Sequence, residues 1–326
     1  METILRNRIV ALLVTLLLLG ALWAPDFLGY NHSSLPFWLP CVATQYDGSL
    51  FDTAGYRLIT VLMAVINALA ILLFSTRFLS LGKANAVIPL FYLLVLFSYP
   101  QARLFSSALP ASLFAILGLF ALFRAGETKT PYAPIFLASF LSGCACLLYL
   151  PSFVIVVSFC AMAIRLSLFS GRKILVFMGG LLFTFGGCIL YRYLLFGTFS
   201  DFTGPFFDGF NHLKFRFFLP PPTSLFMTLS FFYLFGKGVL RWLHHSSGNM
   251  SYRYRVLTAV IWMFFVCAIG LLLYTGNLFG YLPLFAIPSS ILLAYNFSEE
   301  RITKRTKVEF VVLLLSIFLN QVAYLM

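Results

Sequence analysis

Residues 174–196 read ILVFMGGLLFTFGGCILYRYLLF, an apolar stretch in which Arg192 is the single charged residue. An α-helix rises about 1.5 Å per residue, so a stretch of this length crosses a hydrocarbon layer about 30 Å thick. A helix that is apolar on every side must be buried in protein or in lipid. The stretch therefore predicts a transmembrane helix.

The rest of the chain repeats this pattern. Hydrophobic residues make up 61% of the 326 residues and charged residues only 10%, whereas soluble domains carry roughly 25% charged residues. The other apolar runs are 9–24, 56–75, 86–100, 109–123, 134–149, 152–170, 223–240, 256–274, 281–297 and 309–326. The sequence thus predicts an all-α, polytopic transmembrane helix bundle of about 11 spans, forming a single integral membrane domain over residues 1–326.

The first run has the charged start of a signal peptide, with Arg6 and Arg8 before residues 9–24. However, Leu22-Trp23-Ala24 is a poor cleavage site, because signal peptidase requires small residues there. We therefore interpret this run as an uncleaved first helix.

The placement of the positive charges predicts the orientation. The net charge is +12, and the Lys and Arg residues lie between apolar runs, mostly in alternate segments. With the N-terminus inside, 17 of the 22 Lys and Arg lie on the cytoplasmic side, and all five Asp lie outside. The positive-inside rule then predicts the N-terminus in and the C-terminus out. This distribution argues against a nucleic-acid partner, which needs a continuous basic stripe.

Two predicted outer loops are longer than a turn, at about 26–55 and 197–222. The first contains Asp47 and Asp52, and the second mixes many Phe with cations before a proline triplet. Aromatic and basic residues together are typical of a segment that lies in the headgroup region.

The five predicted outer cations suggest a lipid-phosphate site. A guanidinium at headgroup depth needs an anionic partner, and its bidentate contact with phosphate is strong. The predicted phosphate-binding residues are Arg57, Arg103, Arg192, Lys214 and Arg216, with Phe206, Phe207, Phe210 and His212 as a lid. In the alternative interpretation the arginines reach bulk lipid phosphate or pair with an outer Asp.

Asp47 and Asp52 are the predicted catalytic residues of this site. A carboxylate there can deprotonate an acceptor hydroxyl, or it can hold a divalent metal ion that neutralises a departing phosphate. An ordinary solvated loop remains the alternative. No other cofactor is indicated, and no P-loop, HExxH or GxSxG motif is present.

Other residues have simpler interpretations. Gly179-Gly180 and Gly186-Gly187 recur on one helix face, which favours close helix packing. His244-His245 is predicted to lie in a basic inner loop near anionic lipid. Cys144 and Cys146 lie within a span without partners for a metal site.

Four stretches in the middle of the chain carry a family resemblance. They are Ser107–Ala111, Leu113–Arg124, Leu148–Pro151 and Ser170–Lys173. This pattern resembles an uncharacterised family of polytopic inner-membrane proteins from Gram-negative bacteria, known only as a domain of unknown function, over roughly residues 50–200. The resemblance implies a multi-pass protein of a bacterial inner membrane and implies no activity.

The first outer loop is also similar in architecture to that of multi-span glycosyltransferases that use polyprenyl-phosphate sugars. Those enzymes place an acidic residue in this loop with cations nearby, whereas this chain lacks their adjacent acidic pair and large outer domain. The sequence thus predicts an enzyme of lipid-linked glycan assembly. The alternatives are a non-catalytic membrane subunit of a larger envelope assembly and a lipid or solute carrier. The expected partners are membrane lipids, including polyprenyl phosphate, and other membrane proteins.

Overall fold

The computed structural model describes residues 53–79, 81–99, 102, 106–168, 170–196, 222–245, 252–273, 278–297 and 304–323, with isolated helical positions between 10 and 20. Over these residues the protein is all-α and contains no strand. The α-helices of residues 53–323 are α1 Thr53–Phe74, α2 Ile88–Leu96, α3 Ala108–Glu127, α4 Tyr132–Leu148, α5 Phe153–Arg165, α6 Gly171–Phe196, α7 Pro222–His245, α8 Tyr252–Leu273, α9 Leu278–Asn296 and α10 Lys304–Ala323.

Six helices of the described part are long and apolar enough to cross a membrane. The candidate spans are Leu58–Leu79, Ala108–Glu127, Gly171–Tyr191, Pro222–His244, Arg255–Leu272 and Lys304–Ala323. The all-helical class is confirmed, and the apolar helices are those of a multi-pass membrane protein. The count of eleven spans and the orientation stay predictions.

Neighbouring helices alternate in direction. In the antiparallel pair α7–α10, Ser224 bonds Asn320 near one end of the pair and Lys237 bonds Glu309 toward the other. In a parallel pair, successive contacts advance in the same direction along both helices. α1 and α3 contact each other in this way through Asn67–Leu109 and Phe74–Phe120. The same holds for α2 and α10 through Phe91–Phe310 and Ser98–Asn320, and for α4 and α6 through Phe136–Gly180 and Gly143–Thr184. Short connections between consecutive helices favour the same up-and-down order.

This alternation defines two ends of the bundle. We call the end with Ser98, Ser224 and Asn320 the amide end, and the end with Lys237 and Glu309 the basic end. Even-numbered helices finish at the amide end, and odd-numbered helices begin there.

α2 and α9 form the centre of the bundle. They pack against each other, every residue of α2 is buried, and residues 280–294 of α9 are buried as well. α2 is short, but the 3-10 helix Gly82–Val87 precedes it directly. Because a 3-10 helix rises about 2.0 Å per residue, this composite segment extends about 25 Å with few residues.

Side-chain amides satisfy the carboxyl end of α2. Asn320 Nδ2 donates to the Ser98 carbonyl at 3.0 Å, and Gln321 Nε2 donates to the Phe97 carbonyl at 2.7 Å. Ser224 Oγ donates to Asn320 Oδ1 at 2.7 Å. The last carbonyls of a helix lack intrahelical partners, and leaving them unpaired away from water costs several kcal/mol. α10 therefore anchors the end of the central helix.

Two sequence expectations are corrected in α6 and α7. Of the four paired glycines, only Gly180 approaches a neighbouring helix closely, while Gly179, Gly186 and Gly187 have open space where a Cβ would lie. Adjacent residues lie about 100° apart around a helix, so Gly179 faces away from the contact that Gly180 makes. Gly187 shares the face of Gly180 but lies beyond the close approach. In addition, α7 continues to His245, so the His244-His245 pair lies in a helix and not in a loop.

Candidate functional site

Most residues of the predicted outer site lie outside the described part of the chain. These are Asp47, Asp52, Arg103, Phe206, Phe207, Phe210, His212, Lys214 and Arg216. Their roles as catalytic, phosphate-binding and lid residues stay predictions, as does a divalent metal ion held by the two aspartates.

Arg57 and Arg192 are described as backbone positions only. Arg57 belongs to the first turns of α1 and Arg192 to the last turns of α6. α1 packs against α3 and α6 packs against α4. Whether the two side chains share a pocket stays a prediction.

The described residues hold a different charged cluster, between α7 and α10. Glu309 accepts hydrogen bonds from Lys237 Nζ at 2.5 Å, Tyr233 Oη at 3.0 Å and Arg305 Nε at 3.2 Å. Arg305 Nη2 also donates to Tyr233 Oη at 2.8 Å. The Glu309 side chain is only 9% exposed and that of Lys237 25%. The Glu309 carboxylate is therefore shielded from solvent and shared by two cations and one hydroxyl group.

Helical spacing builds this cluster. Tyr233, Lys237 and Arg241 recur every four residues and so share one face of α7, while Arg305 and Glu309 share a face of α10 in the same way. Arg305 and Glu309 already pair within α10, whereas Lys237 of α7 finds its carboxylate only on α10. Antiparallel packing brings the two faces together at the basic end.

Arg241 ties this cluster to the central helix α9. Its guanidinium donates to the carbonyls of Tyr295 at 3.1 Å and Asn296 at 2.9 Å, and it lies 5.2 Å from the centre of the Tyr295 ring. A cation at a helix carboxyl end satisfies the last carbonyls and stabilises the negative end of the helix dipole. Gly238 permits this approach, because a Cβ there would lie 2.9 Å from Leu292 Cδ1.

An open groove of about 680 Å³ runs along this cluster. Its polar lining comes from Lys237, Arg241, His244 and Arg305, and its apolar lining from Phe232 and Leu240. We call it the basic groove. Three permanent cations stand beside one carboxylate there, so the groove suits an anion that also carries an apolar part.

Sequence reasoning missed this cluster. Lys237 falls inside the predicted run 223–240 and Arg241 directly after it, and both lie within α7. The available signal was Lys237 near the end of one apolar run and Glu309 at the start of another. Nothing in the sequence shows that these two runs are neighbours, so the pair could not be matched.

Among the residues that the structure describes, no group of three or more His, Cys, Asp or Glu is placed to hold a metal ion. The described cysteines, Cys144, Cys146, Cys160, Cys188 and Cys267, form no disulfide with one another. Comparison of the chain with protein-family models, with curated proteins and with solved structures finds no match.

Proposed function

We propose that this multi-pass membrane protein handles a polyprenyl-phosphate-linked glycan at the outer face of a bacterial inner membrane, as a glycosyltransferase-like enzyme. The lipid phosphate contacts the outer arginines, and Asp47 or Asp52 acts as the general base. The resemblance to a family of Gram-negative inner-membrane proteins supports the location and implies no activity.

The alternation of the helices is the observation that carries this proposal. α1, α3 and α7 begin at the amide end, and α2 and α6 finish there. Every residue of the predicted site belongs to a segment beside one of these termini: Asp47 and Asp52 before α1, Arg103 between α2 and α3, Arg192 in α6, and residues 206–218 before α7. The proposal therefore assigns the cations and carboxylates of the site to the amide end of the bundle.

The chemistry divides between the two residue types. The arginine guanidinium groups bind the phosphate of the lipid carrier through bidentate hydrogen bonds. A carboxylate within reach of an acceptor hydroxyl removes its proton as the new bond forms. The Phe-rich segment excludes water, and the lower local dielectric strengthens the contacts between arginine and phosphate.

Native mass spectrometry of the purified protein tests the binding step. We expect a retained polyprenyl phosphate, and we expect Arg103→Gln with Arg192→Gln to lose it. Arg124→Gln is the matched control, because Arg124 is an exposed cation near the other end of α3. Retention of no polyprenyl phosphate by the wild-type protein would contradict the proposal.

Substitution of the two carboxylates tests the catalytic step. If Asp47→Asn and Asp52→Asn both retain the lipid but lose glycan transfer, the carboxylates act in chemistry. If both variants keep full activity, the site binds lipid without catalysis by these residues.

A second candidate is a non-catalytic membrane subunit, and the position of α6 favours it. α6 packs mainly against α4, and Leu175, Leu182 and Leu194 are each about 70% exposed. Such a peripheral helix can face lipid or another membrane protein. Purification in mild detergent followed by mass measurement distinguishes a single chain from a stable hetero-complex.

The third candidate, a lipid or solute carrier, is favoured by the central helices. α2 is short and α9 contains Pro283 and Pro288, and carriers use interrupted helices to line their binding sites. Uptake of a labelled lipid across reconstituted vesicles, with and without the protein, tests this candidate directly.

A further inference from the structure

We infer that the basic groove binds the phosphate headgroup of an anionic phospholipid in the leaflet at the basic end of the bundle. This site is separate from the proposed glycan site, which belongs to the amide end. The inference stands on the described side chains of α7 and α10 and is independent of the proposed function.

The charge of the basic groove is the first support for this inference. Lys237, Arg241 and Arg305 line the groove, and Glu309 is the carboxylate of the cluster. Lys304 and Lys307 add two exposed cations on the first turns of α10. The described side chains around the groove therefore carry a net positive charge, which attracts anionic lipid headgroups to a membrane surface.

The second support is that other residues already hold the arginines of the groove in position. Arg305 is 75% exposed, yet Glu309 and Tyr233 hold its guanidinium from one side. Arg241 is held by the carbonyls at the end of α9. Side chains that are already positioned lose little rotamer freedom when they bind a ligand, so their contacts yield more affinity.

The apolar surroundings identify the ligand as a lipid. Phe232 is 69% exposed, Leu240 66% and Val308 61%, all on the helices that form the groove. Arg241 lies about one helical turn and Lys237 about two turns before the end of α7, and Arg305 is the second residue of α10. The cations can therefore reach headgroups, while the apolar side chains beside them contact acyl chains. A soluble anion would bind the cations but would make no contact with these apolar side chains.

Titration of the purified full-length protein with phosphatidylglycerol, followed by native mass spectrometry, tests the inference. The groove variant is Arg241→Gln with Arg305→Gln. The control is Arg172→Gln with Lys173→Gln, which removes two cations from the start of α6, a helix that packs mainly against α4. We expect phosphatidylglycerol binding to weaken about tenfold or more in the groove variant and to stay within about twofold of wild type in the control, because hydrogen bonds to charged groups are the strong ones.

Three further arms complete the test. Arg305→Gln alone replaces the double variant if that protein does not fold, and Arg305→Lys should restore part of the binding because the charge remains. Phosphatidylcholine should bind much more weakly than phosphatidylglycerol. Equal binding of the two lipids, equal loss in the control variant, or full displacement of the lipid by inorganic phosphate would overturn the inference.

Discussion

Glu309 has more hydrogen-bond partners than any other carboxylate in the described residues. It lies in α10 close to the first turn, accepts bonds from Lys237, Tyr233 and Arg305, and is almost completely shielded. Burying a charge is costly unless it is paired and hydrogen-bonded. The three donors offset that cost, so the residue stabilises the α7–α10 contact only as part of the set.

Removal of this carboxylate should destabilise the protein. Glu309→Ala leaves Lys237 partly buried without its anion, and we expect a loss of about 1–3 kcal/mol in the free energy of unfolding. Denaturant unfolding in detergent, followed by tryptophan fluorescence, measures the loss. Replacement of both partners, Lys237→Met with Glu309→Leu, should recover most of it, because no partly buried charge is left without its partner, and Arg305 is 75% exposed to solvent.

The Arg77–Glu127 pair provides the control. Arg77 Nη2 lies 3.9 Å from Glu127 Oε2, and the Arg77 and Glu127 side chains are 62% and 37% exposed, respectively. Exposed ion pairs contribute little, so Arg77→Ala should change stability by about 0.5 kcal/mol or less. If Glu309→Ala costs no more than Arg77→Ala, the shielded cluster has no structural role.

At the scale of elements, glycines on both helices allow the α4–α6 contact, Gly143 of α4 and Gly180 of α6, and Gly180 is the one that meets backbone. A Cβ on Gly180 would lie 2.7 Å from the Phe136 carbonyl oxygen, which belongs to the backbone of α4 and cannot rotate away. Thr184, one turn later, donates to the Phe140 carbonyl at 3.2 Å. Close approach between helices in a membrane depends on small residues and such interhelical bonds.

Gly180→Ala should therefore weaken this contact. We expect a loss of about 1–3 kcal/mol, because the added methyl group forces the two helix backbones apart. Gly179→Ala is the matched control, since no atom lies within 4 Å of its Cβ position. That variant should be neutral or slightly more stable, because alanine favours a helix more than glycine does. Equal thermal unfolding of the two variants would show that the contact tolerates a Cβ.

At the scale of the whole molecule, the alternating helix directions predict which connections share a membrane side. Fusions of a reporter active on one side only, made after Lys129, Ser170 and His245, should all report the cytoplasm. Fusions after Tyr149 and at the C-terminus should report the opposite side. A C-terminal fusion active in the cytoplasm would contradict the odd number of spans and the predicted orientation.

Local composition alone determines the class of this protein. Long apolar stretches such as residues 174–196 predict membrane-spanning helices whatever their neighbours are. The charges between the stretches predict on which side of the membrane each connection lies. The roles of Asp47, Asp52 and the outer arginines also come from charge inventory alone, so they remain predictions.

The tertiary structure decided which helix faces meet, because hydrophobicity predicts the depth of a residue and not its direction around a helix. Lys237 meets Glu309 across 72 residues, and Asn320 completes the end of α2 across 222 residues. Of two adjacent glycines, Gly180 faces α4 and Gly179 does not. Such pairings depend on the azimuth and neighbours of each helix, which packing of the whole bundle sets.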